Sequence, residues 1–383
     1  MRASHLFSQA FGYEPVSVTS APGRLNVIGE HTDYNAGLSL PTVLAHRTFV
    51  AAAARVDDAV RVVTAHAPGE EPVEFELDSL APGEITGWAA YVASVLWALR
   101  ERGFVGSGLD LAVESCVPIA TGLGSSAALE AAVALAADAQ WGLALDTPAG
   151  RAQLAEACVE GERLFVGVPS GPLDQFASLL TVPGAALILD FSSNPPRHWA
   201  QPLYFPEYGL GLLVIDPGTT HTHTDGRYAD RVAECAAAAE ALDVETLRQV
   251  ADAPYALRRV DAIEDPLSRR RARHVVTEIE RTRLVAAELS GTAPAHERFV
   301  TIGKAMYRSH ASLEIDFEVS TPEQDAAVDA AFAAGALGAR LVGGGFGGSA
   351  IALVRRTQAH RTAELISEAM VDQGYAEPTF LMV

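Results

Sequence analysis

The sequence predicts an α+β fold in two domains, and three observations predict it. At 383 residues the chain exceeds what one typical core accommodates. Strand and helix periodicities are mixed in both halves, without the regular βαβ alternation of a doubly wound sheet. Residues 192–206 carry Asn194-Pro195-Pro196, Pro202 and Pro206 and lose the apolar period, which marks a seam. The expected division is 1–205 and 206–383.

The elements come in this order. Residues 1–20 read as a short amphipathic helix followed by a strand at 16–20. Residues 21–35 are polar and turn-rich. Residues 38–56 and 60–66 are rich in Val, Thr and Phe and read as strands, with another at 74–77. Residues 88–102 place Trp88, Val92, Val95, Leu96 and Leu99 on one helical face. Leu109, Leu111 and Val113 alternate with Asp110, Ala112 and Glu114, the period of a half-buried strand. Residues 127–140 form an Ala- and Leu-rich helix. Thr147 opens another that reaches about Gly167, and 173–180 is a short one. Strands are expected at 185–191 and 210–215. Helices are expected at 225–243, 265–289, 296–310, 322–332 and 357–372. Residues 340–354 read as a strand, a glycine loop and a strand, and 379–383 as a closing strand.

Charge and composition exclude several functions. The net charge is -20, with no basic run that would suit nucleic acid or an anionic membrane. The arginines at 269–273 read as a helix face paired with the chain's excess acid. Lys304 is the only lysine. A P-loop needs Gly-Lys-Ser/Thr, and none occurs. With a single lysine, neither a lysine Schiff base nor a lysine general base is expected. Cys116, Cys158 and Cys235 are odd in number and far apart, so neither a disulfide framework nor a zinc site is expected. They read as buried or neutral thiols in a reducing compartment. No signal peptide or membrane span is expected, and a cytoplasmic location is the resulting expectation.

One stretch is built for an anion. Residues 118–128, Pro-Ile-Ala-Thr-Gly-Leu-Gly-Ser-Ser-Ala-Ala, join the strand at 109–114 to the helix at 127–140. Glycines let the backbone approach closely, and the first N–H groups of a helix carry partial positive charge. An ordinary strand-to-helix turn capped by serine is the plainer reading. A second stretch, 23–35, is Gly-Arg-Leu-Asn-Val-Ile-Gly-Glu-His-Thr-Asp-Tyr-Asn. Glu30, His31 and Asp33 would suit a metal. They suit a sugar better, because carboxylates take hydroxyl protons in directional bonds and no second histidine-rich stretch stands out.

The second stretch resembles the signature of galactokinases, within the GHMP small-molecule kinases. Residues 118–128 resemble that superfamily's nucleotide phosphate loop. Leu341-Val342-Gly343-Gly344-Gly345-Phe346-Gly347-Gly348-Ser349 resembles its third motif. The three motifs come in the family's order and span nearly the whole chain. The resemblance implies a ribosomal protein S5-like N-terminal domain and a ferredoxin-like C-terminal domain. It also implies ATP-dependent phosphorylation of the anomeric hydroxyl of galactose, with Mg²⁺.

The resemblance carries roles onto particular residues. Ser170-Gly171-Pro172-Leu173-Asp174-Gln175-Phe176 is similar to the family's Gly-x-x-Asp-Gln-Phe segment. Asp174 is thereby the candidate base, with Arg24 as its partner. A carboxylate beside a guanidinium is a weak proton acceptor in the ground state. In a loose phosphoryl-transfer transition state the proton can leave late, and positioning matters most. Ser170 and Pro172 also suit a helix start by themselves. Glu162, twelve residues before Asp174, and Ser126 match the family's Mg²⁺ ligands. On a helical projection Glu162 falls at the edge of the stripe of Leu154, Cys158, Gly161 and Phe165, where it can turn inward.

Further contacts rest on the same resemblance. Gly122, Leu123, Gly124, Ser125, Ser126 and Ala127 are implied to bind ATP. Glu30, His31, Asp33, Gly171, Asp174 and Tyr228 are implied to bind the sugar. Tyr228 lies after Asp216-Pro217-Gly218-Thr219-Thr220-His221, and Ala229 and Val232 depart from the family's usual Asn and Arg. Residues 269–274 and 309–313 are also similar to galactokinase segments. A monomer with small-molecule substrates is expected. The alternatives are a kinase for another hexose such as N-acetylgalactosamine, a galactose sensor without turnover, and a kinase for a non-sugar alcohol.

Overall fold

A computed structural model describes residues 2–119, 121–182, 184–219 and 226–383. The chain opens with α1 (Arg2–Phe11) and β1 (Ser17–Asn26), followed by β2 (Leu38–Ser39), β3 (Pro41–Ala54), β4 (Ala59–Thr64) and β5 (Val73–Glu76). Next come α2 (Trp88–Glu101), β6 (Leu109–Ser115), α3 (Ser125–Trp141), α4 (Pro148–Gly161) and α5 (Leu173–Leu180). Then β7 (Ala185–Asp190), β8 (Arg197–Pro202) and β9 (Leu210–Asp216) are laid down. Helices α6 (Arg227–Glu240), α7 (Leu247–Ala251), α8 (Ala256–Asp261), α9 (Pro266–Ser290), α10 (Ala295–Ile315) and α11 (Pro322–Ala333) come next. The chain closes with β10 (Gly338–Leu341), β11 (Ala350–Arg355), α12 (Ala359–Asp372) and β12 (Thr379–Met382).

The mixture of helices and strands is the α+β class that the sequence predicts. The contacts divide the chain into two compact units. The first holds residues 1–24, 43–118 and 124–180, and the second holds 25–42, 119–123 and 181–383. This differs from a division at 205/206, because residues 181–205 belong with the second unit. There β7 pairs with β2 and with β8, and Ser290 on α9 donates to Gln201 at 3.0 Å. The expected seam therefore contains a paired strand, β8. The two short helices α7 and α8 lie where no element was expected.

In the first unit, β6 pairs antiparallel with β3 and parallel with β4, and β5 pairs antiparallel with β4. The alternation in β6 predicts one wet face, yet Asp110 is buried. Arg61 donates to it through Nε and Nη2, both at 2.7 Å, and Arg55 through Nη1 at 3.2 Å. Helix α1 packs its Ala3 and Phe7 against Ala51, Ala53, Val63 and Ala112, so the sheet face beside Asp110 is covered. A buried carboxylate is tolerated here because it is multiply paired.

In the second unit, β9–β12 form an antiparallel sheet in the order β10-β11-β9-β12. With α11 preceding β10 and α12 between β11 and β12, this is the βαββαβ ferredoxin-like order. Its core joins Leu213 and Ile215 to Val328, Ala331, Ile366 and Met370. Helix α11 starts on a capping box, with Thr321 accepting from Gln324 N–H and Gln324 Oε1 accepting from Thr321 N–H.

Candidate active site

The polar stretch expected at 21–35 is half strand. β1 runs through Arg24 to Asn26, and its last six residues are buried. This places Arg24 rigidly in the first unit. Its Nε donates to Asp174 Oδ1 at 2.6 Å, and its Nη2 donates to Oδ2. The pair is bidentate, the geometry that fixes a carboxylate plane. Arg24 is 7% exposed, whereas the Asp174 side chain is 30% exposed and reachable.

Asp174 is the second residue of α5, which begins at Leu173. Ser170 does not cap that helix. Its hydroxyl donates instead to Glu162 Oε2. Gly171 lies in the same connection and is buried. Glu162 itself begins a π-turn, Glu162–Val166, that continues from α4. Glu162 is buried, so the carboxylate at the edge of the stripe is turned inward. Gln175 Nε2 donates to it at 2.8 Å and to Glu130 Oε2 at 2.9 Å. Burial raises the Glu162 carboxyl above its ordinary range, and Asp174 adds to the shift against the hydrogen bonds from Ser170 and Gln175.

Of the residues in the stretch expected to meet phosphates, Gly124, Ser125, Ser126 and Ala127 belong to the first unit, and Gly122 and Leu123 to the second. Ala120 lies outside the described residues. Helix α3 begins at Ser125, and its N-cap is Gly124 at φ 71°, with no side-chain cap. The expected serine cap is thus a glycine. A Cβ on Gly124 would come within 3.0 Å of Arg24 Cγ and 3.4 Å of Arg24 N. Glycine is needed there on two counts, the left-handed conformation and the close approach. Ser126 lies one turn before Glu130 on the same face of α3. Ala127 is buried behind them.

In the second unit, Glu30 and His31 are buried. Asn26 Nδ2 donates to Glu30 Oε2 at 3.0 Å, and Gly343 N–H donates to Oε1 at 2.8 Å. Arg340 Nη1 adds a longer contact to Oε1 at 3.4 Å. His31 Nε2–H donates to the Gly344 carbonyl at 3.1 Å, which leaves Nδ1 to accept from the Tyr34 hydroxyl at 2.8 Å. Burial and the nearby His274 hold His31 far below the ordinary histidine range, so it is neutral. Tyr228, on α6, sets its ring 5.5 Å from that of His31, and a Cβ on Gly344 would meet it at 3.2 Å. Asp33 opens a 3₁₀ turn, Asp33–Asn35, and is partly exposed. Signature, glycine loop and α6 thus meet within this unit. His221 and His223 lie outside the described residues.

The sequence reading picked out 269–274 and 309–313 by resemblance, but not their part in supporting this cluster, and it missed Glu278 and Phe317. His274 Nε2–H donates to the Glu30 carbonyl at 3.2 Å, and Phe317 packs 4.6 Å from the His31 ring. Glu278, wholly buried, accepts from Gly29 N–H at 3.0 Å and from Ser309 at 2.7 Å. Only packing reveals these roles, since a helix histidine or glutamate has no local signature. The arginines of α9 behave as expected: Arg271 reaches Glu234 at 2.6 Å, and Arg273 reaches Asp261 at 2.8 Å.

His274 gives the fold a pH dependence. Burial holds it at about 4 against the pull of Glu278, whereas an unfolded histidine titrates near 6.5. A depressed histidine contributes stability that is complete above the unfolded value and is lost as pH falls through the folded one. The window is therefore from 6.5 down to about 4, and the contribution is about 3 kcal/mol. His274→Gln is expected to flatten the loss of stability over that window, with His31 keeping part of it. Urea unfolding at pH 7 and pH 4.5 checks this, and equal losses for both proteins would reject it.

Among the described residues one group of three side chains has metal-ligand spacing, His310, Glu314 and Asp325. His310 Nδ1 accepts from Leu341 N–H at 3.3 Å, so the proton sits on Nε2, 3.3 Å from Asp325 Oδ1. A ligating nitrogen must carry no proton. The group is a histidine–aspartate contact between α10 and α11. Cys158 and Cys235 are buried, whereas Cys116 is exposed.

Comparison with known proteins agrees along the whole chain. The galactokinase galactose-binding signature matches residues 5–54, the GHMP kinases N terminal domain 90–181 and the GHMP kinases C terminal 288–375. A Streptomyces coelicolor galactokinase is 43% identical over 375 residues, covering 97% of this chain and 93% of that one. Human galactokinase is 38% identical over 381 residues, with 96% and 91% covered. Lactococcus lactis galactokinase complexed with galactose superposes with a TM-score of 0.88 at 29% identity, over 99% of this chain and 96% of that one. Methanococcus jannaschii mevalonate kinase, at 17% identity and a TM-score of 0.65 over 96% and 97% of the two chains, shares the fold alone. With these matches running from the signature through the C-terminal domain, the chain belongs to the galactokinase family of GHMP kinases.

Proposed function

We infer that this protein catalyses the ATP-dependent phosphorylation of galactose at its anomeric hydroxyl, giving galactose 1-phosphate and ADP. The observation that carries the reading, given the family, is the bidentate Arg24–Asp174 pair. The anomeric oxygen attacks the γ-phosphorus of ATP, the bond to the ADP oxygen breaks, and Asp174 receives the hydroxyl proton. Arg24 holds the carboxylate plane and offsets γ-phosphoryl charge. Glu30, His31, Asp33, Gly171 and Tyr228 are the proposed sugar contacts. Gly122, Leu123, Gly124, Ser125, Ser126 and Ala127 are proposed to receive the phosphates through backbone N–H groups and the start of α3.

A magnesium ion fits the residues present. Glu162 is a buried carboxylate close to a second one, Asp174, and the hydrogen bonds it accepts from Ser170 and Gln175 both fall on Oε2. Such an oxygen-rich, anionic setting suits a hard divalent cation. Ser126 and Glu162 would hold it, and its chemistry would be to neutralise phosphate charge. Ser126→Ala and Glu162→Gln are each expected to raise the Mg²⁺ concentration needed for half-maximal rate by about tenfold or more. An unchanged Mg²⁺ dependence in both would reject the assignment.

A monomer in the cytoplasm, where ATP is at hand, is part of this proposal, since one chain carries every residue assigned. No described helix is long and apolar enough to cross a membrane. The deciding experiment is a coupled ADP-release assay across galactose, glucose, N-acetylgalactosamine, arabinose and mevalonate. Galactose is expected to give the fastest turnover. Binding of galactose without ADP release would make the protein a sensor, and faster turnover of N-acetylgalactosamine would reassign the sugar.

A further inference from the structure

Gln175 gives its amide hydrogens to two carboxylates, Glu130 Oε2 at 2.9 Å and Glu162 Oε2 at 2.8 Å. Glu130 and Gln175 are wholly buried. Two oxygens at this junction have no hydrogen-bond partner, Glu130 Oε1 and Gln175 Oε1. They are the second oxygen of the acid and the carbonyl oxygen of the amide, which already share one hydrogen bond. A single proton on Glu130 Oε1 would satisfy both. The acid then donates O–H to the amide carbonyl, while the amide donates N–H to the acid, closing a two-bond pair. That pair uses the amide hydrogen on the carbonyl side and leaves the other one aimed outward, at Glu162.

We propose that Glu130 is a positioning residue for this reaction, a neutral carboxylic acid paired with the Gln175 amide so that the amide's other hydrogen holds Glu162. The surroundings agree. No arginine, lysine or histidine pairs with Glu130 among the described residues, and burial and then Glu162 hold its carboxyl far above the ordinary range. A neutral acid also keeps a second negative charge out of contact with Glu162. Gln175 lies next to Asp174 on α5, and Glu130 lies one turn from Ser126 on α3, so the junction ties two assigned residues to a third.

The consequence for the cation rests on the assignment of Glu162 above, whereas the acid–amide pair does not. Glu130→Gln preserves a neutral, two-bond partner, and Glu130→Leu removes it. The infrared difference spectrum between wild type and Glu130→Gln at neutral pH is expected to show loss of a protonated-acid carbonyl band. No lost band would overturn the proposal. Mn²⁺ binding with ADP present, by calorimetry and without turnover, is expected to stay near wild type in Glu130→Gln and to weaken about 10–100-fold in Glu130→Leu. Equal weakening in both variants would mean that the charge is required, and would overturn it. Should the leucine variant fail to fold, the glutamine variant decides by the band and the affinity together. A Glu162→Gln variant that binds Mn²⁺ like wild type would overturn the cation assignment and the positioning role with it, while the infrared band still decides the pair.

Discussion

Replacing Asp174 by alanine is expected to lower galactose turnover by about 10²–10⁴-fold, the range for loss of a positioned general base. The fold is expected to survive, because the Asp174 side chain is 30% exposed and its removal opens no sealed cavity. Arg24 would be left without its carboxylate partner, and breaking a well-buried pair from one side costs about 3–5 kcal/mol. Exposure of the aspartate puts this case below that range, since water can replace part of the carboxylate. Circular dichroism and thermal unfolding separate loss of catalysis from loss of structure. A variant that folds and turns over at near-normal rate would remove Asp174 as the base.

Arg24 provides the second large effect. Its guanidinium presents two donors to one carboxylate, a fork that lysine cannot reproduce. Arg24→Lys is therefore expected to lose about 10²-fold or more in kcat, with a smaller change in the KM for galactose. The decisive form is a double-mutant cycle with Asp174→Ala. Groups that act as one unit give effects far from additive. The double variant should be about as slow as Asp174→Ala alone. Multiplicative losses would show that Arg24 works independently of Asp174, on the phosphate rather than through the carboxylate.

These two variants touch residues 150 positions apart in the chain. Nothing in local sequence joins them. Periodicity put Asp174 on a short helix but left Arg24 in a turn-rich stretch, and the motifs named both, whereas the bidentate contact needed the strand to run through Arg24 and α5 to begin at Leu173. Glu162 makes the same point more sharply. Its distance from Asp174 marks it by resemblance, yet a regular helix puts it at the edge of a stripe. The π-turn at Glu162–Val166 is a tertiary choice, and Gly161 accompanies it. A Cβ there would lie 2.6 Å from the Ser94 carbonyl of α2, so α4 and α2 meet at that glycine.

What the sequence determined by itself was the class of fold, the order of most elements, the absence of a lysine P-loop and the identity of the three motifs. The motifs were identified by resemblance, and the rest are properties of composition, period and spacing, which act over one or two turns or strands. What only the tertiary structure decided was which polar groups share a proton or a carboxylate. Glu30 holds Gly343, His31 is neutral against Gly344, His274 stands behind Glu30, and Gln175 joins Glu130 to Glu162. The physical reason is that burial makes every polar atom require a partner. That partner comes from whichever segment packs there, however distant in the chain.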